Sequence, residues 1–231
     1  MNVAVTGCFG GGKSTVSRLL ASALDAPYLD TDRICRRLLQ PGEAGYAAFV
    51  AGYGTCFLAV DGTIDRTALR QAVFSDPQLK RALEGILHPL VQGEVAAASR
   101  ACREVGRFQV VEVPLLFEVG WNDEFDVVVV VAGGESLLAE RVARRDGLGI
   151  TQIRDVAASQ WPMEEKVRRG DVVIDNGGTF VATVQQVAWL ARKLRRADKM
   201  VGEGYSPAKK LDSSKPSTYK GSNVFSNPCL C

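Results

Sequence analysis

"VAVTGCFGGGKSTVSRLL", residues 3–20, joins an apolar run, a glycine-rich turn and an amphipathic pattern in eighteen residues. Val3, Ala4 and Val5 suit a buried parallel strand. Val16, Leu19, Leu20, Ala23 and Leu24 recur at three- and four-residue spacing, one face of a helix. Between them, Gly7-x-x-x-x-Gly12-Lys13-Ser14 matches the phosphate-loop pattern without a gap. Glycines let successive backbone N–H groups turn inward toward phosphate oxygens, so Gly7, Gly10, Gly11 and Gly12 are the expected cradle. The helix that follows offers its free N–H groups and positive dipole end to the same anion. Lys13 adds a mobile full charge, the Ser14 hydroxyl can join a Mg²⁺ shell, and Thr15 can contact the next phosphate. The expected ligand is a nucleoside triphosphate.

Outward from this stretch, a second strand reads at "PYLD" 27–30, and three more read as buried runs: "FQVVEV" at 108–113, "DVVVVVA" at 126–132 and "DVVID" at 171–175. Helical patterns separate them, the last marked by Val181, Val184, Ala188 and Ala191. Strands alternating with helices imply right-handed crossovers and a three-layer α/β fold of the P-loop NTPase type, with a roughly five-stranded parallel sheet. Residues 32–106 break the rhythm, being mostly helical and punctuated at "QPG" 40–42, "DG" 61–62, "SDP" 75–77 and "HP" 88–89. The expected organisation is a kinase domain over 1–194. Its core is 1–31 and 107–194, its helical acceptor-binding insertion is 32–106, and its lid is about 136–170. A Ser-, Pro-, Lys- and Gly-rich tail over 195–231 reads as disordered.

The chain of 231 residues carries a net charge of +2, but unevenly: residues 195–231 hold seven Lys/Arg against three Asp/Glu. The near-neutral remainder argues against a nucleic-acid binder. Six cysteines without a CxxC pair point to reduced thiols in a cytoplasmic protein. Neither a secretory signal nor a run long enough to span a bilayer is expected.

A GTPase switch needs a guanine-reading NKxD stretch, which is lacking; "DNGG" at 175–178 matches DxxG but comes too late in the chain. Size and the helical insertion suit a small kinase. Arg141 and Arg145, four residues apart on one helix face behind an N-cap at Ser136, could stabilise the charge spread over a transferring phosphoryl group. Asp32, in "LDTDRI" at 29–34, could accept a proton from an attacking hydroxyl, position it, or cap the helix; Asp30 is the weaker candidate.

Together, "VTGCFGGGKSTVSRLL", "LDTDRICRRLLQPG", "DGTIDRTALRQAVFSDP", "LHPLV", "VPLLFE", "ERVARRDG" and "VVIDNGG" resemble dephospho-coenzyme A kinase over about residues 1–194. The resemblance implies ATP- and Mg²⁺-dependent phosphorylation of the ribose 3′-hydroxyl of dephospho-coenzyme A, the last step of coenzyme A synthesis. It puts the catalytic aspartate at Asp32, the phosphate-loop lysine at Lys13 and the lid arginines at Arg141 and Arg145. It also suggests a substrate-side role for His88, which otherwise reads as a turn residue before Pro89. Glu118, in the Walker-B-like segment from Pro114, either orients the acceptor or makes a loop salt bridge. A nucleoside monophosphate kinase is the alternative, and a non-catalytic ATP-dependent switch or scaffold is the alternative from another class. Two departures stand out: Cys8 sits where a second glycine is usual, so either its φ suits a non-glycine residue or the loop is slightly strained, and Glu112 replaces a usual Asp.

Overall fold

The computed structural model describes residues 1–133 and 160–201. Strands β1 (Asn2–Gly7), β2 (Tyr28–Asp30), β3 (Gln109–Glu112), β4 (Val127–Ala132) and β5 (Val172–Asp175) form one sheet in the order β2-β3-β1-β4-β5. The ladders β1–β3, β1–β4 and β4–β5 are parallel, with Val3 beside Val110 and Val127, and Gly7 beside Val131. β1 is therefore central, and chain connections leave it toward opposite edges. The loop at its carboxyl end opens where such sheets bind ligands.

The helices are α1 (Lys13–Leu24), α2 (Thr31–Leu38), α3 (Ala44–Tyr53), α4 (Arg66–Ser75), α5 (Pro77–Glu104), α6 (Met163–Arg169) and α7 (Phe180–Val201). Two compact units emerge: residues 1–28 with 106–231, and residues 29–105. In the first, α1 and α7 pack together on one sheet face. Val3 and Val5 of β1, Val129 and Val131 of β4, Val16 and Leu20 of α1, and Leu190 and Leu194 of α7 form a dry core there. On the other face α6 lies against β4, so closely that a side chain at Gly170 would collide with Val130.

The last helix differs from its sequence reading in two ways. Val181 and Val184 are exposed, and the buried stripe is Thr183, Val187, Leu190, Ala191 and Leu194. A polar residue leads that stripe because its hydroxyl has a specific partner, described below. The helix also continues through Arg195–Val201, where the reading expected the disordered tail to have begun. Charged side chains extend it: Arg195 donates to the Ala23 carbonyl at 2.7 Å, and Asp198 lies 3.8 Å from the Met1 amino group. Residues 202–231 of the expected tail lie outside the described residues.

The second unit is built by helix punctuation. Asp65 caps α4 through the Thr67 and Ala68 N–H groups, each at 3.0 Å, and Asp76 caps α5 with Pro77 at its first position. Phe49, Ile64, Leu69 and Leu79 form its core, with Phe49 stacked on Tyr53. "HP" at 88–89, expected to end a helix, lies inside α5. Proline removes one hydrogen bond and presses on the carbonyl four residues earlier. Leu87 and Val91, buried on either side, hold the helix through that defect.

Leu190→Ala tests the core of the first unit. Leu190 is fully buried, and a truncation there is expected to cost about 2–5 kcal/mol, read from urea unfolding midpoints. A loss below about 1 kcal/mol would contradict this packing.

Candidate functional site

The loop between β1 and α1 has the shape its glycines require. Gly10 and Gly12 adopt φ of 78° and 83°. At Gly12 a side chain would also run into the Asn176 amide, and at Gly7 into the Val131 carbonyl. Cys8 has no positive φ, since Asp25 is the sole non-glycine residue with one among the described residues. Of the two alternatives at Cys8, the structure has the one without backbone strain. Its carbonyl does the work instead, accepting from Gly11 N–H at 3.1 Å and from Lys13 Nζ at 2.9 Å. Lys13 is thus buried and folded back onto its own loop. Gly12 stands at the N-cap of α1 without a capping side chain, which leaves that helix end to an incoming anion.

Residues distant in sequence hold this loop. The Ser14 hydroxyl donates to Glu112 Oε1 at 2.8 Å, and the Tyr28 hydroxyl donates to Glu112 Oε2 at 2.5 Å. Glu112 is buried at the end of β3, so the carboxylate is fixed by two charge-assisted hydrogen bonds. From the β5 end, Asn176 Nδ2 donates to the Gly11 carbonyl at 2.9 Å. Asn176 Oδ1 accepts at 2.8 Å from the hydroxyl of Thr183, the polar residue of the α7 stripe. Gln186 closes the same corner, its amide exchanging hydrogen bonds with the Asp175 N–H at 2.9 Å and carbonyl at 2.8 Å. On the third side, Phe9 N–H donates to Gln160 Oε1 at 3.2 Å.

Glu118 makes the salt bridge that was one of its two readings: Lys166 Nζ lies 2.8 Å from Oε1, off hydrogen-bond alignment, and Trp161 N–H donates to that oxygen at 2.9 Å. Glu112, Asn176, Thr183 and Gln160 were not singled out as site residues from sequence. Asn176 sits in the quoted "VVIDNGG", but no spacing rule connects it to residue 11. Arg141 and Arg145 lie outside the described residues, as does most of the expected lid.

Asp32 and His88 belong to the second unit. Asp30, not Asp32, caps α2: its Oδ1 accepts from Arg33 N–H at 3.1 Å. Asp32 stands in the first helical turn, where a carboxylate complements the helix dipole. Burial pushes the Cys35 thiol up to about 11, with the Asp32 carboxylate the next cause and Asp30 a smaller one. His88 lies mid-helix in α5. Among the described residues no cluster of three or more His, Cys, Asp or Glu could hold a metal by itself, and no helix is long and apolar enough to cross a membrane.

Comparison with known proteins agrees with this geometry. The sequence model of a family described as dephospho-CoA kinase matches residues 1–181. The chain is 37% identical over 187 residues to a dephospho-CoA kinase of Desulfotalea psychrophila, covering 81% of this chain and 94% of that one. It is 41% identical over 185 residues to one from Gloeobacter violaceus, covering 80% and 88%. A crystal structure from Thermus thermophilus superposes with a TM-score of 0.70 at 31% identity, over 85% of this chain and 97% of that one. A dephospho-CoA kinase from Campylobacter jejuni, at 23% identity and a TM-score of 0.64 over 85% and 98%, shares the fold.

The raised Cys35 thiol gives a direct check on the Asp32 charge. At pH 8, below its raised value of about 11, Cys35 stays protonated and alkylates far more slowly than exposed Cys56. Asp32→Asn is expected to speed Cys35 alkylation by lowering that value, read by mass spectrometry against pH. An unchanged rate would place the Asp32 charge elsewhere.

Proposed function

The chain belongs to the dephospho-CoA kinase family, and from that premise we propose the reaction that its phosphate loop serves. The γ-phosphoryl group of ATP passes to the ribose 3′-hydroxyl of dephospho-coenzyme A, giving ADP and coenzyme A, the last step of coenzyme A synthesis. The observation that carries this reading is the formed phosphate loop, with Gly10 and Gly12 left-handed and the uncapped end of α1 behind it, in a chain of this family. A bond forms from the 3′-oxygen to phosphorus as the bridging bond to ADP breaks, and the hydroxyl proton leaves to a carboxylate. Asp32 is our candidate for that base or for positioning the hydroxyl. His88 and the helical segment 32–106 are proposed on the acceptor side. Arg141 and Arg145, in the lid at about 136–170, are proposed to neutralise the moving charge.

On the donor side, N–H groups of Gly10, Gly12, Lys13 and Ser14 bind phosphate oxygens, while Gly11 N–H stays on the Cys8 carbonyl and the Lys13 ammonium exchanges that carbonyl for the β and γ phosphates. Ser14 Oγ and the Glu112 carboxylate are hard oxygen donors 2.8 Å apart. Such a pair suits Mg²⁺, which keeps much of its shell from phosphate and water. When bound, Mg²⁺ neutralises phosphate charge; Ser14 and Glu112 hold the protein's side of that shell. Thiols rather than disulfides at Cys8, Cys35, Cys56 and Cys102 suit a cytoplasmic enzyme. The nucleoside monophosphate kinase and switch readings are not favoured, because the curated relatives carry the dephospho-CoA kinase name.

An acceptor panel tests the reading: with ATP and Mg²⁺, ADP should form with dephospho-coenzyme A and not with nucleoside monophosphates. The reverse preference would reassign the substrate. Asp32→Asn should lower kcat by about 100-fold or more while the KM for ATP stays close to wild type. A variant that loses ATP affinity instead would move Asp32 to the donor side.

A further inference from the structure

The buried Glu118–Lys166 pair joins α6 to the segment after β3. The Lys166 side chain is fully buried and Glu118 is 12% exposed. Removing two charges from water costs more than their attraction commonly returns, and apolar side chains of similar volume would pack as well. What an ion pair provides and an apolar pair cannot is a carboxylate oxygen fixed at one point. Here that oxygen, Glu118 Oε1, accepts the Trp161 N–H at 2.9 Å, while Oε2 is buried without a hydrogen bond among the described residues. The Trp161 ring is held as well, stacked on Phe117 at 6.3 Å and covered by the Arg169 guanidinium at 4.7 Å. Gln160 is the preceding residue, so its backbone inherits this anchoring. Its amide oxygen is the partner of Phe9 N–H in the phosphate loop.

We propose that Gln160 is a positioning residue for the phosphate donor: it holds the Phe9 N–H, and with it the first half of the loop. The Glu118–Lys166 pair sets the backbone from which it reaches. The second half of the loop has its own tie, from Asn176 to the Gly11 carbonyl at 2.9 Å. A neutral amide suits this place. It accepts the N–H as a carboxylate would, without putting negative charge beside a site for polyphosphate. This inference rests on the loop binding ATP, but not on the identity of the acceptor.

The test uses the full chain, with two readouts that need no acceptor: calorimetric titration with MgATP, and the alkylation rate of half-buried Cys8 in nucleotide-free protein. Gln160→Ala should weaken MgATP binding by about three- to tenfold, the worth of one hydrogen bond, and speed Cys8 alkylation. The KM for dephospho-coenzyme A should not change. Gln160→Glu separates this from simple packing: it keeps the acceptor and the slow alkylation of Cys8, yet weakens MgATP binding through its charge. Glu118→Gln should shift both readouts in the direction of Gln160→Ala. Wild-type MgATP affinity and Cys8 reactivity in Gln160→Ala would overturn the proposal, as would a change confined to the acceptor's KM. Wild-type protein that binds MgATP but fails with dephospho-coenzyme A would overturn the reaction and leave the positioning role standing.

Discussion

Backbone N–H groups turned toward one point repel one another, and the loop's own carbonyls at Cys8 and Gly12 take up only part of its donors. Everything around residues 7–14 answers that constraint. β1 delivers the chain at the centre of the sheet, between β3 and β4, so partners can reach the loop from both sides. Glu112 at the end of β3 takes the Ser14 hydroxyl, Asn176 after β5 takes the Gly11 carbonyl, and Gln160 before α6 takes the Phe9 N–H. Three ties from outside the loop thus hold its shape. The core beneath it serves the same end: Thr183 interrupts the apolar stripe of α7 because its hydroxyl fixes the Asn176 amide.

Four of the five strands were legible because each carries a short run of Val, Ile or Ala bounded by turn residues, and buried parallel strands look like little else; β2, Tyr28–Asp30, is the half-buried exception. The phosphate loop was legible because its chemistry demands particular residues at consecutive positions. Local rules failed where tertiary packing outweighed them. Pro89 looks like a helix end, yet α5 passes through it. Val181 and Val184 look like a buried face, yet the sheet lies under Thr183, Val187 and Leu190. Asp32 carried the capping alternative in the sequence, and the structure gives the cap to Asp30.

The loop's supports were not legible for a different reason. Gln160 is 151 residues from Phe9, and Asn176 is 165 from Gly11. A single amide at such a distance leaves no periodic trace, and its partner is a backbone group that any residue could offer. Cys8 taught the converse lesson. Its side chain drew notice as a departure, whereas its carbonyl, which every residue has, accepts Lys13 and Gly11.

A loop of this kind, in a chain of this family, directs a phosphoryl group to one hydroxyl of one acceptor. The regiochemistry of the product made from ATP, Mg²⁺ and dephospho-coenzyme A, read by phosphorus–proton correlation in the NMR spectrum, tests this. A single new phosphomonoester coupled to the ribose 3′ proton is expected, in equal amount with ADP. Phosphate on another position, or ADP formed without a phosphorylated acceptor, would contradict it.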